Sequence, residues 1–272
     1  MKDVSFGQYY PSNSFVHKMN APVKILLSIG YIVAAFLVRQ YYFLGFAACL
    51  LFVIIATAVA KVPFSKVLKS IKGILFFIIL TAILQLLLNK EGRIIFSWSF
   101  ITVTDVGAYN AAFIVVRITL VVLGASLLTL TTSPTELADG IEFLMYPLKF
   151  IKFPVHEFAL IMSIALRFIP TLLDETNRII KAQKARGANF ESGNIFKRIK
   201  AMVPVLIPLL ISSFRRADEL ADAMDARCYS GSKNRTRYKK ITFSIRDAVG
   251  VLIVAALIAG VVLLNGVLGV PV

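Results

Sequence analysis

Three aspartates and a glutamate share one short charged stretch, Asp218-Glu219-Leu220-Ala221-Asp222-Ala223-Met224-Asp225. On a helix, Asp218, Asp222 and Asp225 fall at i, i+4 and i+7, near one face, where they could hold Mg²⁺ for diphosphate chemistry of the membrane prenyltransferase kind. That chemistry needs a second aspartate cluster facing the first, and the sequence offers none. Arg215 and Arg216 beside Glu219 give a simpler account, ion pairs along a helix surface. Two other signatures suit contact rather than catalysis: Ala185-Arg186-Gly187 and Ala226-Arg227-Cys228 each close a charged helical stretch. An arginine flanked by small residues at a helix end can push its planar guanidinium into a partner's acidic groove, because neither neighbour blocks the approach. Cys49 lies in an apolar run and Cys228 in a basic one, so no disulfide is expected; His17 and His156 have no carboxylate or cysteine at ligand spacing. The sequence also lacks a Gly-rich phosphate loop ending in Lys-Ser/Thr, so any ATP would be hydrolysed on another chain.

The elements that carry these residues must be membrane elements. With 272 residues, 58% of them hydrophobic, and a mean hydropathy of +0.78, the chain is too apolar for a soluble domain and long enough for several spans. Its net charge of +15 does not imply nucleic acid, since the basic residues flank or connect apolar runs and act there as topology signals. Met1 to Asn20 has no charged-then-apolar run with a small-residue cleavage site, so the N-terminus is expected to be retained.

Five segments read as spans: Ile25 to Val38, Tyr42 to Ala60, Gly73 to Leu88, Val106 to Leu130 and Ala248 to Val270. The first and third are short, and Lys24 and Arg39 at the ends of the first are expected to snorkel to the interfaces. Between the second and third lie Lys61, Lys66, Lys69 and Lys72 with no acid, which places that segment in the cytoplasm. Counting outward, the N-terminus and Thr131 to Asp247 are cytoplasmic and the C-terminus is extracellular. Val155 to Leu173 and Ile199 to Phe214 are also apolar, but the first contains Glu157, Arg167 and Pro170 and the second Pro204 and Pro208. These stretches read as kinked helices at the cytoplasmic interface or buried in protein. Ile94 to Thr104 reads as a short extracellular strand pair or an interfacial loop, with Trp98 suited to the membrane boundary. Arg117, inside the fourth span, reads as a structural partner of neighbouring polar groups or as a functional charge.

The fold class is therefore an all-α integral membrane protein with about five transmembrane helices and a cytoplasmic arm of about three amphipathic helices. Residues 1–130 form the N-terminal segment and first four spans, 131–246 the arm, and 247–272 the last span. Ser133 as N-cap, Pro134 at the first helical position and Glu136 predict an arm helix from Thr135 to Phe150. A second helix follows from Val155 to Arg186, ended by Gly187 in the left-handed conformation, and a third from Ile195 to Arg227. Each of the two long helices then carries an arginine at its C-terminal tip, and folded back they make a crossed pair.

The two Ala-Arg endings resemble those of the CbiQ family, the EcfT-type transmembrane coupling subunits of energy-coupling factor (ECF) transporters. So do Thr131 to Pro134 with Glu136 and Leu137, the run Leu166 to Leu172 with Asp174-Glu175, and His17 to Lys24. The resemblance covers nearly the whole chain. Cys228 departs from it, standing where the second glycine would be, and the N-terminal segment matches loosely. The resemblance implies a subunit of a multisubunit ABC importer in the bacterial cell membrane. There, two cytoplasmic ATPases drive it, and a separate membrane subunit captures a vitamin or other micronutrient. It implies that Ala185, Arg186 and Gly187 dock in one ATPase, and Ala226, Arg227 and Cys228 in the other. Leu166, Phe168, Pro170, Pro204 and Pro208 would couple to the substrate-binding subunit. ATP and Mg²⁺ would sit on the ATPases, and this chain would bind no cofactor, no metal and no nucleic acid. Against a self-contained secondary transporter stand the missing inverted repeat and the few polar groups in the spans.

Overall fold

The computed structural model describes residues 9–39, 43–89, 92–98, 101–188, 190, 194–229, 231 and 242–267. In chain order the helices are α1 (Ala21–Leu37), α2 (Phe43–Ala60), α3 (Phe64–Lys72) and α4 (Leu75–Leu88). A hairpin of β1 (Ile94–Trp98) and β2 (Ile101–Thr104) leads into α5 (Asp105–Thr131) and α6 (Pro134–Met145). A 3-10 helix (Tyr146–Ile151), α7 (Val155–Ala185), α8 (Ile195–Ala226) and α9 (Ile245–Val267) complete the fold. The chain is all-α apart from the hairpin, which pairs antiparallel with Ile94 opposite Thr104 and Trp98 opposite Ile101. The side chains of 95–98 and 101–103, Trp98 among them, lie outside the described residues.

Two compact units are formed, one of Met1–Phe143 with Ile241–Val272, the other of Leu144–Lys240. In the first, α5 packs against α1, α2, α3 and α4, and α9 packs against α1 and α2. Tyr31, Phe46, Cys49, Val53, Phe113 and Leu127 lie in its core. Phe46 and Phe113 rings meet at 4.7 Å. Outside that core the helices are apolar and exposed, as in Phe36, Leu51, Phe76 and Leu252, each more than half accessible. Apolar outward faces on apolar-cored helices are what lipid, not water, permits.

Direction is fixed by polar contacts at the helix ends. Asn20, before α1, bonds Asp247 near the start of α9, and Asn265 near the end of α9 donates to the Leu37 carbonyl, so α1 and α9 run the same way. Helix α5 runs oppositely: Lys24, early in α1, reaches Thr131 at the end of α5, whereas Arg117 in α5 reaches Val38 beyond the end of α1. Midway between these contacts the backbones meet at Gly124, where a Cβ would fall 2.1 Å from Cε1 of Tyr31. Only glycine admits the ring, whose hydroxyl donates to the Leu120 carbonyl at 3.1 Å.

By length and composition α2, α5, α7 and Ile245–Gly266 of α9 can cross a membrane, and α3 with α4 can do so as one broken span bent by 57°. Helix α1 is a shorter apolar helix of 17 residues, about 25 Å long at 1.5 Å per residue. The expected third span thus begins two residues late, after a separate amphipathic helix. Helix α7, expected at the cytoplasmic interface or buried in protein because of Glu157, Arg167 and Pro170, also contains an 18-residue window with the hydropathy of a span. The arm helix expected over Thr135 to Phe150 ends at Met145 and tightens into the 3-10 helix. Pro147 is the reason: it has no N–H for an α-helical bond and its ring crowds the carbonyl four residues back.

Candidate docking site

Helices α7 and α8 finish in the same kind of turn. At the end of α7 the Gly187 N–H donates to the Lys184 carbonyl at 3.0 Å and the Ala188 N–H to the Gln183 carbonyl at 3.0 Å. At the end of α8 the Cys228 N–H donates to the Asp225 carbonyl at 2.9 Å and the Tyr229 N–H to the Met224 carbonyl at 3.0 Å. Both are Schellman turns, in which a left-handed residue lets the chain satisfy its last orphan carbonyls. The left-handed residues are Gly187 at φ +87° and Cys228 at φ +55°. In each turn the arginine, Arg186 or Arg227, is the residue just before the left-handed one, and both are exposed. The flanking Ala185, Gly187, Ala226 and Cys228 are exposed as well, so no large neighbour covers either guanidinium.

A cross-helix ion pair ties the two helices together. Nη2 of Arg216 lies 2.5 Å from Oε2 of Glu175, both side chains being partly buried. Glu175 and Arg216 stand at the same distance from the ends of their helices, so each arginine tip lies about 15 Å of helix beyond the pin. Arg216 thus pairs across helices, with an acid outside the 218–225 cluster. Asp218, Asp222 and Asp225 are exposed, and among the described residues no group of three or more His, Cys, Asp or Glu is arranged to hold a metal ion.

The residues expected to couple to a second membrane subunit divide. Leu166 and Phe168 are partly buried in α7, while Pro170, Pro204 and Pro208 are exposed within continuous helices. Helix α8 carries a stronger feature than its prolines, an exposed apolar stripe of Phe196, Ile199, Val203, Leu206, Leu210 and Phe214. Its spacing of three and four residues keeps it on one face, a pattern that runs past Pro204 and Pro208 in the sequence.

In the first unit, polar side chains hold the ends of α1, α5 and α9, and of these sequence reasoning had marked only Arg117 as a structural partner. Lys24 does not snorkel: its side chain is buried, and Nζ donates to the His17 and Thr131 carbonyls at 3.1 Å each. A cation on Thr131 meets the negative end of α5 where its carbonyls lack partners. Arg117 does the same for α1, its Nη2 donating to the Val38 carbonyl at 2.5 Å while the guanidinium lies 4.6 Å from the Phe113 ring centroid. Asp247 is buried and accepts from the Asn20 N–H at 3.0 Å, Asn20 Nδ2 at 2.6 Å and the Ser244 N–H at 2.8 Å. His17 bonds Ser14 Oγ through Nδ1 at 2.7 Å and the Tyr10 carbonyl through Nε2 at 2.9 Å, and because a carbonyl only accepts, Nε2 carries a proton. Burial lowers its pKa, against the opposing effect of the Tyr10 carbonyl. Just beyond, the expected capping box forms: the Glu136 N–H donates to Ser133 Oγ and the Ser133 N–H to Glu136 Oε2, each at 3.3 Å.

Residues 12–238 match the CbiQ family, described as cobalt transport protein. The chain is 48% identical over 259 residues to the energy-coupling factor transporter transmembrane protein EcfT of Clostridium kluyveri, covering 95% of each chain. It is 46% identical over 265 residues to the EcfT of Ruminiclostridium cellulolyticum, covering 97% of this chain and 98% of that one. With the EcfT of Bacillus subtilis it shares 43% identity over 264 residues, covering 95% of this chain and 98% of that one. A match over most of the chain and relatives of this identity along its length make it a member of the CbiQ family.

Proposed function

We propose that this chain is the transmembrane coupling component of an ECF-type ABC importer. It carries the motion of two cytoplasmic ATPases to a membrane subunit that binds a vitamin or other micronutrient. The observation that carries this reading is the pair of helix ends closed by the same kind of turn, each presenting an exposed arginine with small neighbours. A guanidinium forks onto a carboxylate with two parallel hydrogen bonds, and a partly desolvated pair of this kind typically costs about 2–5 kcal/mol when one partner is lost. Arg186 docks in one ATPase and Arg227 in the other, while ATP and Mg²⁺ are held by those subunits. The ion pair Arg216–Glu175 makes α7 and α8 move as one piece, and the apolar stripe of α8 meets the substrate-binding subunit. The chain lies in the bacterial cell membrane with its N-terminus inside and its C-terminus outside. The common direction of α1 and α9 supports this, because it sends the two ends of the chain to opposite faces.

The test replaces Arg186 and Arg227 with Ala, singly and together, and purifies the complex through a tag on this chain. Each single variant is expected to lose most of one co-purifying ATPase interaction, and the double variant both the ATPases and uptake. Undiminished uptake in the double variant would sink the assignment. In a parallel experiment Asp218→Asn with Asp222→Asn is expected to leave uptake largely intact, as surface acids should.

A further inference from the structure

Helix α3 is placed and patterned differently from every other element of the first unit. Helix α2 ends in a Schellman turn of its own, with the Lys61 N–H on the Ala58 carbonyl at 3.0 Å and the Val62 N–H on the Thr57 carbonyl at 3.3 Å. Lys61 is left-handed at φ +53°, and α3 then meets α4 at a bend of 57°. The helix is thereby cut off from the spans on either side of it. It is anchored to the core through Val62, Val67 and partly buried Ile71. It lies at the end of the bundle where α5 finishes, since Lys66 Nζ sits 4.2 Å above the Tyr10 ring and the Tyr10 N–H bonds the Leu130 carbonyl.

Around the helix, 100° per residue puts Val67, Ile71, Phe64 and Leu68 on one arc. The first two face the core, whereas Phe64 and Leu68 are 44% and 55% exposed. Lys72 and then Lys69 continue the circle beyond Leu68, both exposed, and Lys66 completes it on the far side against Tyr10. From Lys61 to Gly73 there is no acid. Exposed apolar side chains bordered at once by lysines fit neither water alone nor hydrocarbon alone, but the plane between them.

We infer that α3 lies in the headgroup plane and binds anionic phospholipid. Phe64 and Leu68 enter the acyl region, and Lys69 and Lys72 take the headgroup phosphates. The occupant is a membrane lipid rather than a protein because the charge is of one sign and the apolar contact is two side chains wide. Each lysine near an anionic surface favours it about fivefold, so the pair is expected to favour anionic over zwitterionic lipid by up to about 25-fold.

The probe is a tryptophan placed on the helix. The chain has a single tryptophan, Trp98, so Trp98→Phe with Leu68→Trp leaves one reporter on the exposed arc of α3. The full-length chain is reconstituted in phosphatidylcholine vesicles containing a minority of phosphatidylglycerol. Quenching is then compared for bromine on the acyl chains of one lipid or the other at equal mole fraction. Brominated phosphatidylglycerol is expected to quench several-fold more strongly. Lys69→Gln with Lys72→Gln should equalise the two lipids, and Lys69→Arg with Lys72→Arg should preserve the preference. Equal quenching in the parent chain, or a preference that survives the glutamine pair, would overturn the inference. No ATPase or substrate-binding subunit is needed, so the outcome is independent of the proposed transport role.

Discussion

At φ +55° the Cβ of Cys228 crowds the neighbouring carbonyl, a clash that Gly187 in the matching turn avoids by having no Cβ. No neighbour lies within 4 Å of a Cβ added at Gly187, so its requirement is purely conformational. The two positions should therefore respond with opposite signs. Cys228→Gly is expected to stabilise the end of α8 by about 1 kcal/mol, slowing amide exchange at 228 and 229 about fivefold. Gly187→Ala should loosen the end of α7 by a similar amount and speed exchange at 187 and 188; equal behaviour of the two variants would contradict the assignment. These tips were legible in the sequence because a helix end is local chemistry, decided by residues within one turn of each other. The roles of Lys24, Asn20 and Asp247 were not, because their partners lie far along the chain, Asp247 bonding Asn20 across 227 positions and Lys24 reaching Thr131 across 107, whereas Arg117, read as a structural partner or a functional charge, donates to the Val38 carbonyl. Hydropathy reads a lysine beside an apolar run as a boundary marker, and nothing local tells it from one that caps another helix.

Among the elements, α1 and α5 make the contact most sensitive to volume, since the Tyr31 ring fills the space a side chain at Gly124 would need. Gly124→Ala should cost about 1–3 kcal/mol through overpacking, seen as a lower melting temperature of the purified chain in detergent. Gly260→Ala in α9 is the control, for nothing lies within 4 Å of its added Cβ, and it should melt no lower than the parent because alanine is the better helix former. Were the two to shift alike, the close approach of α1 and α5 would be wrong. Periodicity located the long helices to within a few residues, because apolar runs bounded by charge leave little choice of length. It misjudged the arm helix at Pro147 and merged α3 into the connection before α4. Both are short elements whose ends depend on one proline or one turn, not on a repeating pattern.

For the molecule as a whole, the common direction of α1 and α9 and the opposite direction of α5 predict that the two ends of α1 face opposite sides of the membrane. In a Cys228→Ser background, with Cys49 buried, Asn13→Cys and Arg39→Cys provide exposed labelling sites beyond either end of that helix. An impermeant maleimide should modify Arg39→Cys in intact cells and Asn13→Cys only in inverted vesicles. Labelling of both from one side would refute the topology. The placing of Glu175 and Arg216 at equal distances from their helix tips has a mechanical consequence. A pair of levers with equal arms about one fulcrum turns a given displacement at either tip into the same rotation. Any asymmetry in how such a device answers its two drivers must then come from the drivers, or from the unstrained turn at Gly187 against the strained one at Cys228.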